Sequence, residues 1–342
     1  MLGLSYIGMY ENYSKIQSDN PLRDIWDMIL KNSDINFLSQ RWEEKDMDSY
    51  TYVSTSITQA YEYFRASKVS SLKTRPLLLY YSFLNLTKAI LFLKSNKKPT
   101  NYHGLCKEKI EKKIEKSEDF LLFSAEVNNG VFYQLGELIG TQPAIKTIFT
   151  LEDLFNNIVE LSAVFSEYFN KNHNFICPKV DGYSNGVLKL TFNKEVLSVN
   201  EITKTNLEET FIKEFSLEED EQNIIFYNKL NKQGEEYNIF HKQATEILEK
   251  YFSFSVYDDK RYYFNCNNST KINGALACYG IMYLLSSIVR YKPEHIYKLL
   301  DDKTISINWF LGKICDTLER IYPNMMLNIL FEEKIKFSSS DF

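Results

Sequence analysis

QAYEYFRASKVSSLKTRPLLLYYSFLNLTKAILF, residues 59 to 92, sets the plan of this chain. Ser70 and Ser71 mark a turn, and Thr74 is placed to cap the helix that Arg75 and Pro76 open. Proline suits a first helical turn, because its missing N–H has no partner there anyway. The predicted helix, Pro76–Leu93, is apolar on nearly every side. Such a helix has no face to show water and belongs at the centre of a core. Asn85 and Lys88 interrupt it at i,i+3, so they share one face.

Working outward, Leu22, Ile25, Trp26 and Ile29 recur at helical spacing behind Pro21. Residues 55–67 form the next expected helix, with Ile57, Ala60, Tyr61 and Phe64 on one face. A loop, SNKKPTNYHGL, follows the central helix. KEKIEKKIEKS, with opposite charges at i,i+4, then reads as a solvated helix. The character changes after that. Asn128-Asn129-Gly130 between apolar runs signals a hairpin. Residues 151–170 read as one helix. Strands are expected over 175–180, 186–192, 223–227 and 261–265, with helices over 206–215 and 237–252. The acidic run LEEDEQ, 217–222, reads as a solvated loop. From Ile272 the pattern is helical again: 272–290, 293–300, 305–321 and 323–337.

The expected fold is therefore mainly α with an inserted α+β section, the helical N- and C-terminal parts packing together around a small mixed middle region. Its parts are residues 1–118, 119–270 and 271–342, read as one continuous unit. No repeat or low-complexity linker interrupts the chain.

Composition narrows the function. The 342 residues are 44% hydrophobic and 25% charged, an ordinary globular balance. A net charge of −5 argues against an extended DNA-binding surface, since phosphate neutralisation needs a basic face. Five widely spaced cysteines form no CxxC or Cys/His cluster, so neither a disulfide framework nor a metal site is expected. The first residues, MLGLSYIGMYENYS, carry no signal-peptide pattern. The uncharged stretch Ile272–Val289 only reaches the lower edge of a bilayer span, about 18 residues, and reads as a core helix. A cytoplasmic protein with reduced thiols and no membrane contact is expected. P-loop, Rossmann, G-x-S-x-G and H-E-x-x-H patterns are absent from the sequence, and no cofactor is expected.

The stretch QAYEYFRAS…TRPLLLYYSFLNLTKA, HGL at 103–105, GVFYQLGELIG at 130–140 and MYLLSSIVRYKPEHI at 282–296 resemble the YaaC-like family of bacterial proteins. The resemblance implies a cytosolic, mainly helical protein and supplies no catalytic residues.

Two constellations carry chemistry. Arg290 and His295, in RYKPEH, have the R-x4-H spacing of HEPN ribonucleases. There a histidine serves the ribose 2′-OH as acid or base, and an arginine stabilises the phosphorane without metal. HEPN motifs tend to place a polar residue after the arginine, where this chain has Tyr291, and Pro293 favours a helix break between the pair. The structural alternative makes Arg290 a helix-end cation and His295 a first-turn residue. Arg75, Asn85 and Lys88 form the second set, an anion-binding candidate or a structural hydrogen-bond network. Arg75 lies roughly 15 Å from Asn85 along the axis, too far for one small pocket. His103-Gly104, Asn265 with 267–270, and the pairs Asp258-Asp259 and Asp301-Asp302 read as turn and cap residues.

The leading expectation is a non-catalytic or regulatory subunit of a cytosolic bacterial assembly, in anti-phage defence or a stress response, with other protein subunits as partners. The second is a HEPN-like, metal-independent endoribonuclease acting on RNA as a homodimer through Arg290 and His295. The third is a binder of a small anionic metabolite or nucleotide through Lys88 and Asn85.

Overall fold

The computed structural model describes residues 12–42, 45–95, 98–107, 117–170, 175–182, 186–230, 237–258, 261–266, 271–301 and 307–338. The solvated-helix reading of 107–117 falls almost wholly outside them.

The chain opens with strand β1 (Asn12–Gln17), then helices α1 (Pro21–Lys31), α2 (Ile35–Arg41), α3 (Met47–Val69) and α4 (Arg75–Ser95). Strands β2 (His103–Lys107) and β3 (Ser124–Gly130) lead to α5 (Val131–Leu138), β4 (Ile148–Thr150), α6 (Leu151–Phe155) and α7 (Ser162–Phe169). The next section holds β5 (Phe175–Ile176), β6 (Lys179–Gly182), β7 (Val187–Asn193), α8 (Lys194–Val199), α9 (Lys204–Phe211), β8 (Ser216–Glu219), β9 (Asn223–Lys229) and α10 (Tyr237–Tyr251). After β10 (Phe252–Ser253) and β11 (Tyr263–Asn265) come α11 (Gly274–Tyr291), α12 (Pro293–Asp301), α13 (Ile307–Phe331) and β12 (Glu333–Ser338). The protein is mainly helical with several small sheets.

Helix α4 packs against α3, α5, α11 and α13. Leu79, Tyr80, Ala89 and Ile90 are fully buried, as an all-apolar helix requires. Each such Leu or Ile contributes about 1.5–3 kcal/mol by leaving water. Phe83 stacks on Tyr322 of α13 with ring centroids 4.0 Å apart. Thr87 gives its hydroxyl proton to Phe83 O, so Tyr322 donates to Thr87 in turn. By length and composition α4 and α11 could cross a membrane, but 72% and 78% of their apolar windows are buried inside the protein. Their apolar surface is satisfied by protein.

Two hydrophobic cores form. One joins residues 25–165 to 256–337, and the other lies within 176–264. In the second, Phe211 touches Phe192, Phe226 and Phe264, all buried on one side of the sheet β6-β7-β9-β8.

Several elements differ from the sequence reading. Asn128-Asn129-Gly130 is no hairpin; it ends β3, and α5 begins at Val131. β3 pairs instead with β2 and β4, so His103 starts a strand rather than sitting in a loop. Residues 151–170 break into α6, a 3-10 turn and α7, with the Thr150–Asp153 capping box fixing the first start. LEEDEQ runs into β8 and its turn. Pro323 lies inside α13 and starts no new helix, and residues 333–338 form β12, paired in parallel with β1. Asn328 explains that ending: its Oδ1 accepts from Ile335 N at 3.0 Å, while Asn324 Nδ2 donates to Ile335 O at 3.0 Å. Side chains of α13 thus hold the backbone of β12.

The approach of β2 to β3 depends on glycine. A Cβ on Gly130 would sit 2.2 Å from Gly104 N, and one on Gly104 would sit 2.7 Å from Phe132 N. Gly130→Ala is therefore expected to destabilise by about 3 kcal/mol or more, since backbone must move. Gly140→Ala, at φ +68 but with open space around it, should cost only about 1 kcal/mol. Urea unfolding of the two variants compares them, and equal midpoints would refute the close-approach account.

Candidate functional site

The closest β2–β3 approach delivers His103 to the face of α11. Along α11, Tyr279, Tyr283, Ser286, Ser287 and Arg290 recur at three- and four-residue spacing, so they form one stripe. Tyr80 of α4 faces that stripe. Its ring lies 5.7 Å from both Tyr279 and Tyr283 by centroid.

Two hydrogen bonds hold the histidine, and a longer contact links the two tyrosines that make them. Tyr80 Oη lies 2.6 Å from His103 Nδ1 and 3.4 Å from Tyr279 Oη. Tyr279 donates to the His103 carbonyl at 3.2 Å. Burial raises the Tyr80 and Tyr279 phenols well above their ordinary value, so both stay protonated at neutral pH. Ring and main chain of His103 are both pinned, and Nε2 is left as the open ring nitrogen.

Two cations act on this ring. Burial lowers the His103 pKa first, and the charges of Arg290 and Lys88 lower it further. The Arg290 guanidinium sits between two rings, 5.6 Å from the centroid of Tyr80 and 5.0 Å from that of Tyr291. Its hydrogen bonds go to Ser286 O at 3.3 Å and to the Ser286 and Ser287 hydroxyls at 3.4 Å. Lys88 is half-buried, and burial lowers its pKa. Among the described residues neither Lys88 nor Arg290 forms an ion pair. Asn85 is half-buried one turn before Lys88. Two cations without an ion pair among the described residues and a neutral histidine, with phenols and hydroxyls around them, make an electropositive cluster whose charge suits an anion.

The other singled-out residues lie elsewhere. Arg75 bonds Asp316 at 2.7 Å and Glu319 at 2.9 Å, fastening the start of α4 to α13. Glu319, only 3% exposed, also takes Lys68. Arg75 is thus committed to a structural ion cluster. His295 follows the helix break at Lys292, with Nε2 3.7 Å from Glu294 and Nδ1 buried without a hydrogen-bond partner among the described residues. No hydrogen bond or ring contact joins it to Arg290 among the described residues. Asn265 donates to Asn156 O at 2.7 Å, and Asp258 pairs with Arg261. Residues 267–270, Asp259 and Asp302 lie outside the described residues. No group of three His, Cys, Asp or Glu side chains that could hold a metal occurs among the described residues.

Sequence reasoning gave His103 a turn role and missed Tyr80, Tyr279 and Tyr283. The available signal was the stripe Tyr279-x3-Tyr283-x3-Ser287-x2-Arg290 on an otherwise apolar helix.

The chain belongs to the YaaC-like protein family, whose model matches residues 25–330. No curated protein matches the chain, and no solved structure does. The family match brings no assigned chemistry to the Arg290–His295 spacing or to the His103 pocket.

In an NMR titration His103 should titrate below the ordinary histidine value of about 6.5. Arg290→Met should move it upward by removing a repelling charge. Because the folded value lies below the unfolded one, His103 favours the fold at neutral and alkaline pH. That contribution fades as pH falls through the unfolded value toward the folded one. A folded-state value at or above 6.5 would contradict the placement of these cations.

Proposed function

We propose that this protein is a cytoplasmic binder of a phosphate-bearing small molecule, working as a regulatory subunit whose protein partners respond to the bound state. One observation carries the reading: Lys88 and Arg290, held beside half-buried His103, have no acidic partner among the described residues. A cation left unpaired in a partly desolvated place costs stability, so such a pair is expected where an anion supplies the missing charge. Tyr291, 65% exposed and stacked on Arg290, adds a ring on which a nucleobase could lie. The ligand class is therefore a nucleotide in preference to a bare phosphate.

Titration calorimetry with inorganic phosphate and AMP tests this. Lys88→Met and Arg290→Met should each weaken AMP by about tenfold or more, as a hydrogen bond to a charged group contributes ~1.5–3 kcal/mol. Tyr291→Ala should weaken AMP and spare phosphate. No heat from either ligand with the wild-type protein would sink the proposal.

A second reading has one observation behind it, the open Nε2 of His103. With Arg290 and Lys88 to stabilise a phosphorane, His103 could take the 2′-OH proton in metal-free RNA cleavage, the role first expected of His295. Cleavage in EDTA that His103→Ala abolishes and His295→Ala preserves would favour it. No cleavage by the wild-type protein would remove it.

A further inference from the structure

Helix α4 reaches solvent along one short stripe of its enclosed length. Between Leu79 and Leu93 every residue is buried except Tyr81, Asn85 and Lys88, which are half-buried. Their spacing of four and then three residues puts all three on one face.

The three side chains differ in chemistry. Tyr81 offers a ring, and Tyr63 of α3 stacks on it with centroids 5.4 Å apart, so the two rings form a fixed aromatic platform. Asn85 offers an amide with no hydrogen-bond partner among the described residues. Lys88 offers an ammonium with no ion pair there. Ring, amide and cation in that order match the parts of a nucleotide: a base to stack, a base edge to read and a phosphate to neutralise. An asparagine amide carries a donor and an acceptor side by side, the complement of N7 and the N6 amino group of adenine.

The end of α11 repeats two of these parts. Arg290 is the cation, and Tyr291, 65% exposed, is the ring, 5.0 Å from the guanidinium. Tyr80 joins the halves. Its ring lies 5.7 Å from that of Tyr81 and 5.6 Å from the Arg290 guanidinium. These short steps keep Tyr81 and Tyr291 within reach of the two ends of one extended dinucleotide. The charges of Lys88 and Arg290 meet at His103, on which both act.

A mononucleotide would use one ring and leave the other half of the constellation empty. A bare pyrophosphate would use both cations and neither ring. We infer that this site takes a dinucleotide, two nucleosides joined through a pyrophosphate, with the pyrophosphate on Lys88 and Arg290, one base at Tyr291 and an adenine at Tyr81 read by Asn85. The inference rests on the nucleotide reading of the same site and adds its second half.

Titration calorimetry of the full chain with AMP, ADP and diadenosine pyrophosphate tests it. The dinucleotide should bind about tenfold or more tighter than ADP, although ADP carries more charge, because a second base is stacked. Tyr81→Ala should bring the dinucleotide back to the affinity of ADP. The hypoxanthine counterpart of the dinucleotide should bind the wild-type protein more weakly than the adenine one, and Asn85→Ala should level the two. Should Tyr81→Ala fail to fold because Tyr63 loses its partner, that levelling decides. AMP binding with the dinucleotide no tighter than ADP would overturn the inference and leave the nucleotide reading standing. No binding of any of the three would remove both. Undiminished dinucleotide affinity in folded Tyr81→Ala would overturn the placement of the second base.

Discussion

A helix that is apolar on every side has to be enclosed, and the first core is arranged around that demand. Helix α4 has no polar stripe to turn outward, so α3, α5, α11 and α13 close over it. The polar groups it does carry must then be satisfied inside. Thr87 passes its proton to its own backbone and receives one from Tyr322. Tyr80 finds His103 and Tyr279. Arg75, at the entry, meets two carboxylates of α13. Two groups are left over: Ser82 Oγ is buried with no hydrogen-bond partner among the described residues, and Lys88 is half-buried with no ion pair there.

That contrast distinguishes scaffold from site. The charges that hold α4 in place are matched, as the Arg75–Glu319–Lys68 cluster shows. Breaking such a cluster leaves a buried charge uncompensated and typically costs about 3–5 kcal/mol. The charges around His103 are unmatched and depress its pKa rather than neutralising one another. Electrostatic strain of this kind is retained where a ligand relieves it more readily than where it serves only the fold. Tyr80 of α4 and Tyr279 of α11 stay protonated and spend their hydroxyls on fixing His103, adding no negative charge beside the two cations.

Much of the helical frame was legible because it rests on local rules. Leu22–Leu30, Pro76–Leu93 and Ile272–Arg290 all correspond to observed helices, shifted by a residue or a few at their ends. What failed depended on partners distant in sequence. Asn128-Asn129-Gly130 has the composition of a turn, but Gly130 is needed because Gly104 lies against it, and no local pattern encodes that contact. Pro323 looked like a helix start, yet packing of α13 carries the helix through it. β12 was hidden because its partner, β1, is more than three hundred residues away. The site was half legible for the same reason. Lys88 and Arg290 stood out as polar residues in or ending apolar helices. Their meeting through His103, on a strand read as a loop, follows only from the tertiary fold.

The central claim is that the space bounded by Lys88, His103 and Arg290 holds an anion. A crystal soaked in tungstate, with the oxyanion located by anomalous scattering, tests it most directly. The account predicts a tungstate bonded to Lys88 and Arg290 with His103 Nε2 beside it. An empty pocket with tungstate bound elsewhere, or Lys88 and Arg290 closed onto a carboxylate of the protein, would contradict it.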